Sequence, residues 1–185
     1  MPKSLPSPET LHKLLRYNPE TGALFWRART PDMFSSERQA AEHNCAIWNG
    51  RFANKAAFTA DTNWGYKQSS VFDQKMLAHR VAWAMHYGEW PRYEIDHING
   101  IRSDNRISNL RDVTSSENGR NSQRMKNNTS GQTGVSWDRS RDQWVAYIRA
   151  NGRILNLGRF LLKGDAIAAR KAAEIEHDYH PNHGR

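Results

Sequence analysis

Apolar positions come in short bursts along this chain, each with its own period. Leu11, Leu14 and Leu15 form a one-sided stripe behind Ser7, Pro8 and Glu9, which predicts a helix with Ser7 as its N-cap. "NPETG" at 18–22 is turn chemistry, and "ALFWRAR" after it alternates well enough for a strand. Residues 31–50 show no usable period. From 51 to 78, "RFANKAAFTA", "GYKQSSVF" and "KMLAH" predict short strands. "HRVAWAMHYGEWP" predicts a helix with Leu77, Val81, Ala84 and Met85 on one face, ended by Gly88 and Pro91. "YEIDHINGIRSDN" reads as a strand entering a turn at Asn99–Gly100, and "LRDV" as a second strand. "TSSE" is a capping box, Thr114 with Glu117, that should open a polar helix from Ser115 to about Arg124. A polar linker follows at 124–134. Three strand-like runs come next, with "ANG" before Arg153 as a hairpin signal. An Ala-rich helix ends the pattern. Its Ala168, Ala172, Ile175 and Tyr179 share one face, expected to lie against the sheet.

Composition narrows the class. At 185 residues and 37% hydrophobic content, two or three small modules are expected in place of one large core. The net charge of +8 favours a polyanionic partner, most often nucleic acid. The single cysteine, Cys45, rules out an internal disulfide and a multi-thiolate zinc site. No run approaches the length of a membrane span, and the start lacks a signal-peptide core. A soluble, cytoplasmic protein with no membrane partner is expected.

The candidate chemistry lies in "EIDHINGIRSDNRISNLRDVTSSENGRN", residues 94–121. Asp96 sits on the predicted strand and Asn118 in the first turn of the capped helix, 22 residues on. If strand and helix pack together, a carboxylate and an amide oxygen meet at one spot. That is a hard-oxygen half-site suited to one magnesium or manganese ion, with water and phosphate completing it. His97, next along the strand, points to the opposite side and can take a proton from water near neutral pH.

The span "LAHRVAWAMHYGEWPRYEIDHINGIRSDNRISNLRDVTSSENGRN" resembles the HNH nuclease motif, the beta-beta-alpha-metal fold, in its phage and intron homing form. "LLRYNPETGALFW" is a weaker echo. The resemblance implies Asp96 and Asn118 as metal ligands, His97 as general base and Asn109 as the residue that orients it. Asn stands where the name-giving pattern ends in His. Asn105 is expected to serve the loop's backbone. His79 and His86 are expected to be structural or to touch phosphate, and His177, His180 and His183 to form a solvated tail.

"TGVSWDRSRDQWVAYIRANGRILNLGRF" and the helix after it resemble the Apetala-two (ethylene-response-factor) DNA-binding domain. That likeness implies a sheet in the DNA major groove with Arg139, Arg141, Trp144, Arg149, Arg153, Asn156 and Arg159 as contacts. Charge agrees: residues 131–160 hold five Arg and two Asp, while residues 161–185 hold four basic and four acidic groups. Asn156 replaces a contacting Trp of the family, and Thr133 and Ser136 stand where the plant family has Arg just before and after "GV", so base preference does not carry over.

The expected architecture is α+β: a beta-beta-alpha-metal nuclease module, and a three-stranded antiparallel sheet packed on one helix. The expected divisions are an N-terminal region at 1–76, the nuclease at 77–126 and the DNA-binding domain at 127–185. The expected function is metal-dependent hydrolysis of DNA phosphodiesters by a phage-type homing endonuclease. It would act as a monomer on double-stranded DNA inside the bacterial host. The alternative is a catalytically inactive DNA-binding regulator or architectural protein.

Overall fold

A computed structural model describes residues 4–34, 40–119, 124, 127–150, 152–181 and 183–184. The architecture is mixed α+β, built from small sheets and helices. The chain divides into two compact units, residues 1–97 with 101–112, and residues 98–100 with 113–185.

The first unit opens with α1, Pro8–Leu14, whose cap is as the sequence predicts: the Thr10 amide donates to the Ser7 hydroxyl at 3.2 Å. Leu15 does not continue the helix. It starts β1, Leu15–Tyr17, which pairs antiparallel with β2, Leu24–Trp26, across the "NPETG" turn. The irregular stretch contains a helix that the pattern does not announce: α2, Ala41–Phe52. It has no side-chain cap, and Cys45 is its one buried residue. Without a cap or an apolar stripe it leaves no helical signature. Strands β3, Ala60–Asp61, β4, Lys67–Val71, and β5, Gln74–Leu77, form an antiparallel meander.

Helix α3, Ala78–Tyr87, begins where β5 ends and stops at Gly88, which is left-handed at φ 76°. It buries Val81, Ala84 and Met85 in a core shared with Leu11, Leu14, Leu15, Leu24 and Val71. Strands β6, Glu94–His97, and β7, Leu110–Val113, pair into a two-stranded sheet. The entry to β6 is fixed twice. Arg80 donates to the Tyr93 and Pro91 carbonyls, and Asp112 accepts from the Arg92 and Tyr93 amides at 2.7 and 2.8 Å.

In the second unit the capping box forms as the sequence predicts. The Thr114 amide donates to Glu117 at 2.8 Å, and the Glu117 amide to the Thr114 hydroxyl at 3.3 Å. The helix it opens, α4, covers Ser115–Gly119, and most of its expected extension to Arg124 lies outside the described residues. Strands β8, Val135–Asp138, β9, Gln143–Ala150, and β10, Arg153–Phe160, form an antiparallel sheet with β9 in the middle. It packs on one helix, α5, Lys163–Glu176, through Val135, Ala146 and Ala166.

The helix face differs from the expected one. Ala168, Ala172 and Ile175 are exposed, Ile175 by 82%, and Tyr179 lies beyond the helix. The buried positions are Ala166, Arg170 and Ala173. The reason is polar. Arg170, only 2% exposed, donates to the Tyr147 carbonyl at 2.6 Å and to Glu174 at 2.8 Å, and lies 3.1 Å from His183. A buried guanidinium with its donors satisfied can turn the helix away from its aliphatic stripe. Through His183 it also draws in the tail that was expected to be solvated. Gly134, at φ 77°, makes room for this: a Cβ there would lie 2.5 Å from the Tyr147 oxygen and 2.6 Å from Arg170. Gly134→Ala should therefore cost about 1–3 kcal/mol of stability, read from the denaturant midpoint. An unchanged midpoint would remove the Arg170 argument.

Candidate active site

Asp96 and His97 are adjacent on β6, and both are buried, at 7% and 3% exposed. Alternation along a strand sends neighbouring side chains to opposite faces. Burial of both means that β6 is covered on both faces.

The Asp96 carboxylate is held by Arg111 on β7. Both Nε and Nη2 donate to Oδ2, at 2.8 and 2.7 Å. This partner was not anticipated; "LRDV" marks a strand but does not tell which charges cross it. The pair balances a carboxylate that burial would otherwise penalise.

The His97 ring meets Asn105, with Nε2 at 3.3 Å from the amide oxygen. An amide oxygen only accepts, so this contact calls for a proton on Nε2 and leaves the lone pair on Nδ1. Burial lowers the His97 pKa below the usual imidazole value, with Asn105, Asp96 and Asp104 pulling the other way. Asn105 was expected only to serve the loop backbone. Asn109, expected to orient His97, donates its amide to the Asp104 carbonyl at 2.8 Å and so shapes the loop that presents Asn105.

The N-terminal hairpin holds that loop from outside. Tyr17 donates to the Asn105 carbonyl at 2.7 Å, and the Ile107 amide to the Pro19 carbonyl at 3.0 Å. Gly22, at φ 74°, packs so close that a Cβ would lie 2.5 Å from the Asn105 carbonyl carbon and from the Arg106 amide.

A second histidine lines the site. His79 on α3 is 4% exposed, and its ring stands edge-on to His97 at 5.1 Å and to Tyr66 at 4.9 Å. Its Nδ1 is buried without a hydrogen-bond partner. Burial, with His97 and Arg80 adding to it, pulls the His79 pKa down to about 3. Arg102 lies 5.1 Å over the Tyr66 ring and is fixed by the Trp64 carbonyl at 2.8 Å.

The remaining expected residues lie in the second unit. Asn118 is on α4, its amide bonded to the Thr114 carbonyl at 2.9 Å. On the three-stranded sheet, register puts Arg149, Tyr147, Asn156 and Arg159 on one face, through the pairs Asn156–Tyr147 and Arg159–Val145. Trp144 lies on the other face, against the helix-packed core, and Arg153 is paired with Ala150 on that side. Arg139 and Arg141 are exposed in the β8–β9 turn, where Arg141 pairs with Asp138 at 3.4 Å. Asp138 also faces Arg159 at 3.8 Å. The Asn156 amide oxygen accepts from Gly158 at a bulge, which gives it a backbone role as well.

Comparison with known proteins places this geometry in a class. Residues 76–120 match the family model for HNH endonucleases. Over 112 residues the chain is 35% identical to Protein 3.8 of Escherichia phage T7, spanning 60% of this chain and 90% of that protein. The chain belongs to the family of that phage protein and carries an HNH endonuclease domain. No solved structure matches it. Among the described residues no helix is long and apolar enough to cross a membrane.

The buried His79 makes a pH prediction. Its unfolded form takes a proton near 6.5 and its folded form near 3. Between those values the unfolded chain binds more protons, so stability is complete above about 6.5 and is lost as pH falls. At pH 5 the loss from this ring should be about 2 kcal/mol relative to neutral pH. Denaturation of His79→Gln at pH 7 and pH 5 checks it: the variant's pH dependence should be flatter than the wild type's. Equal pH dependence would show that another group is responsible.

Proposed function

We propose that this protein is a metal-dependent DNA endonuclease of the phage homing type. The observation that carries the reading is the Asp96–His97 pair, buried on β6 within the HNH-matching segment, with the imidazole in a defined hydrogen bond. His97 Nδ1 takes the proton from the attacking water, and Asn105 holds the ring for it.

No trio of His, Cys, Asp or Glu among the described residues forms a metal cage. A hard divalent cation on a nucleic-acid substrate does not need one, because one or two carboxylates with phosphate oxygens and water are enough. Asp96, a buried carboxylate whose Oδ2 already attracts a cation, Arg111, fits that role. It would hold magnesium or manganese, whose Lewis acidity serves the leaving oxygen. Asn118 as second ligand is carried by the motif alone.

The Arg-bearing face of the second unit's sheet is the reading's second part. Arg149, Arg159 and Asn156 share that face, and the fold of three strands on one helix agrees with the Apetala-two likeness. Double-stranded DNA is the partner that this surplus of positive charge suits.

A second reading has its own observation. With Arg111 bonded twice to Asp96, the carboxylate is already neutralised, as in a nuclease fold kept only for binding. Plasmid cleavage separates the two. The nuclease reading expects cutting that needs Mg²⁺ or Mn²⁺, stops in chelator, is lost in Asp96→Ala and is about 10²–10⁴-fold slower in His97→Ala. Unaltered activity in either variant would refute these roles. Salt-sensitive binding without any cutting would favour the regulator.

Arg149→Ala should weaken duplex binding by about 1–3 kcal/mol if it reads a base. If it touches only phosphate, affinity should fall for all sequences alike and the salt slope should drop by about one. Affinity and slope both unchanged would remove the sheet face from the interface.

A further inference from the structure

The first unit holds a cavity of about 490 Å³ that the catalytic pair does not use. Its size is ordinary for a small-ligand pocket. Trp26, Trp48 and Phe58 form an aromatic wall, and Gln68, Ser70 and Lys75 on β4 and β5 form a polar rim.

Arg29 lines the same cavity. Its guanidinium carbon lies 3.9 Å from the Trp48 ring centre, 5.9 Å from Trp26 and 5.8 Å from Phe34. Its backbone is fixed to α2, with the amide donating to Asn49 at 2.8 Å and the carbonyl accepting from Asn49 at 2.9 Å and Cys45 at 3.1 Å. Yet its Nε is buried and has no hydrogen-bond partner. A buried cationic N–H without an acceptor is costly. Three rings hold the guanidinium in place, so the part of its fork that lines the cavity is organised in advance for an acceptor from outside the chain.

The ligand must lay an apolar face against the aromatic wall, carry an acceptor on its edge and suit a cationic surround. A nucleobase has all three properties, and its phosphate suits Lys75 on the rim. Distance agrees. Tyr66, whose ring lies 5.8 Å from His97, immediately precedes β4. Gln68 and Ser70 are two and four residues further on, about 7–13 Å along the strand. That is roughly two to four nucleotides at stacked spacing.

We propose that this cavity receives one unstacked nucleobase of the nucleic acid, its ring against the aromatic wall and its acceptor edge on Arg29. The inference rests on nucleic acid being the partner, and it adds a subsite that reads single-stranded character near the cut.

The test is binding by the full chain in chelator, where cleavage is suppressed. The probe is single-stranded oligothymidine carrying one 2-aminopurine, with the matched duplex as comparison. Wild type should bind the single strand and change the 2-aminopurine fluorescence. Arg29→Gln should bind it about 10- to 150-fold more weakly, the range for losing a hydrogen bond to a charged group. Arg29→Lys should be impaired as well, because an ammonium keeps the charge and loses the planar fork. Lys75→Gln, on the exposed rim, should weaken binding without touching the core and guards against a folding defect. Wild-type affinity in both Arg29 variants, or full function in Arg29→Lys, would overturn the proposal. Plasmid cleavage with Arg29-independent binding would overturn this subsite alone, whereas Arg29-dependent binding without cleavage would overturn only the nuclease reading.

Discussion

The close approach of Gly22 to the loop at Asn105–Arg106 is the constraint on which the first unit's chemistry depends. A Cβ at position 22 would lie 2.5 Å from that backbone, so the N-terminal turn and the loop meet without a side chain between them. Tyr17 and Pro19 add hydrogen bonds on either side of the same contact. The loop so held presents Asn105 to His97. The distant N-terminal turn thereby becomes part of the support of the candidate base, because an imidazole aimed from a strand still needs its second nitrogen fixed.

Charge compensation gives the site its second character. Asp96 is buried beside a buried histidine, and a bare carboxylate there would be expensive. Arg111 meets that cost from the neighbouring strand. It also makes the pair a poised arrangement, since any cation drawn to Asp96 competes with a guanidinium already in place. Around His97, the Tyr66 and His79 rings add to its burial, and burial disfavours the protonated form of both imidazoles.

The second unit solves a different problem with similar means. Its sheet and helix are small, and Arg170 fills what an aliphatic side chain would fill in a larger core. Its hydrogen bond to Tyr147 ties the helix to β9, and Glu174, one turn further along the same helix, accepts a second. This leaves the opposite sheet face free to be basic, with Arg149 on β9 and Arg159 on β10 sharing it, paired with Ile154 and Val145.

Local signals determined much of this protein. The Ser7 cap, the Gly88 stop, the Thr114–Glu117 box and the three strands before α5 were all legible, because each depends on residues within a few positions of one another. The adjacency of Asp96 and His97 was legible for the same reason. What joined distant segments was not. Asn105 as the partner of His97, Arg111 on Asp96, the approach of Gly22, the stray helix α2 and the rotation of α5 about Arg170 were decided only in three dimensions. Each depends on where a hydrogen-bonding group finds its partner across the fold. Side-chain periodicity encodes which face is apolar, and it carries no record of which buried polar groups will meet.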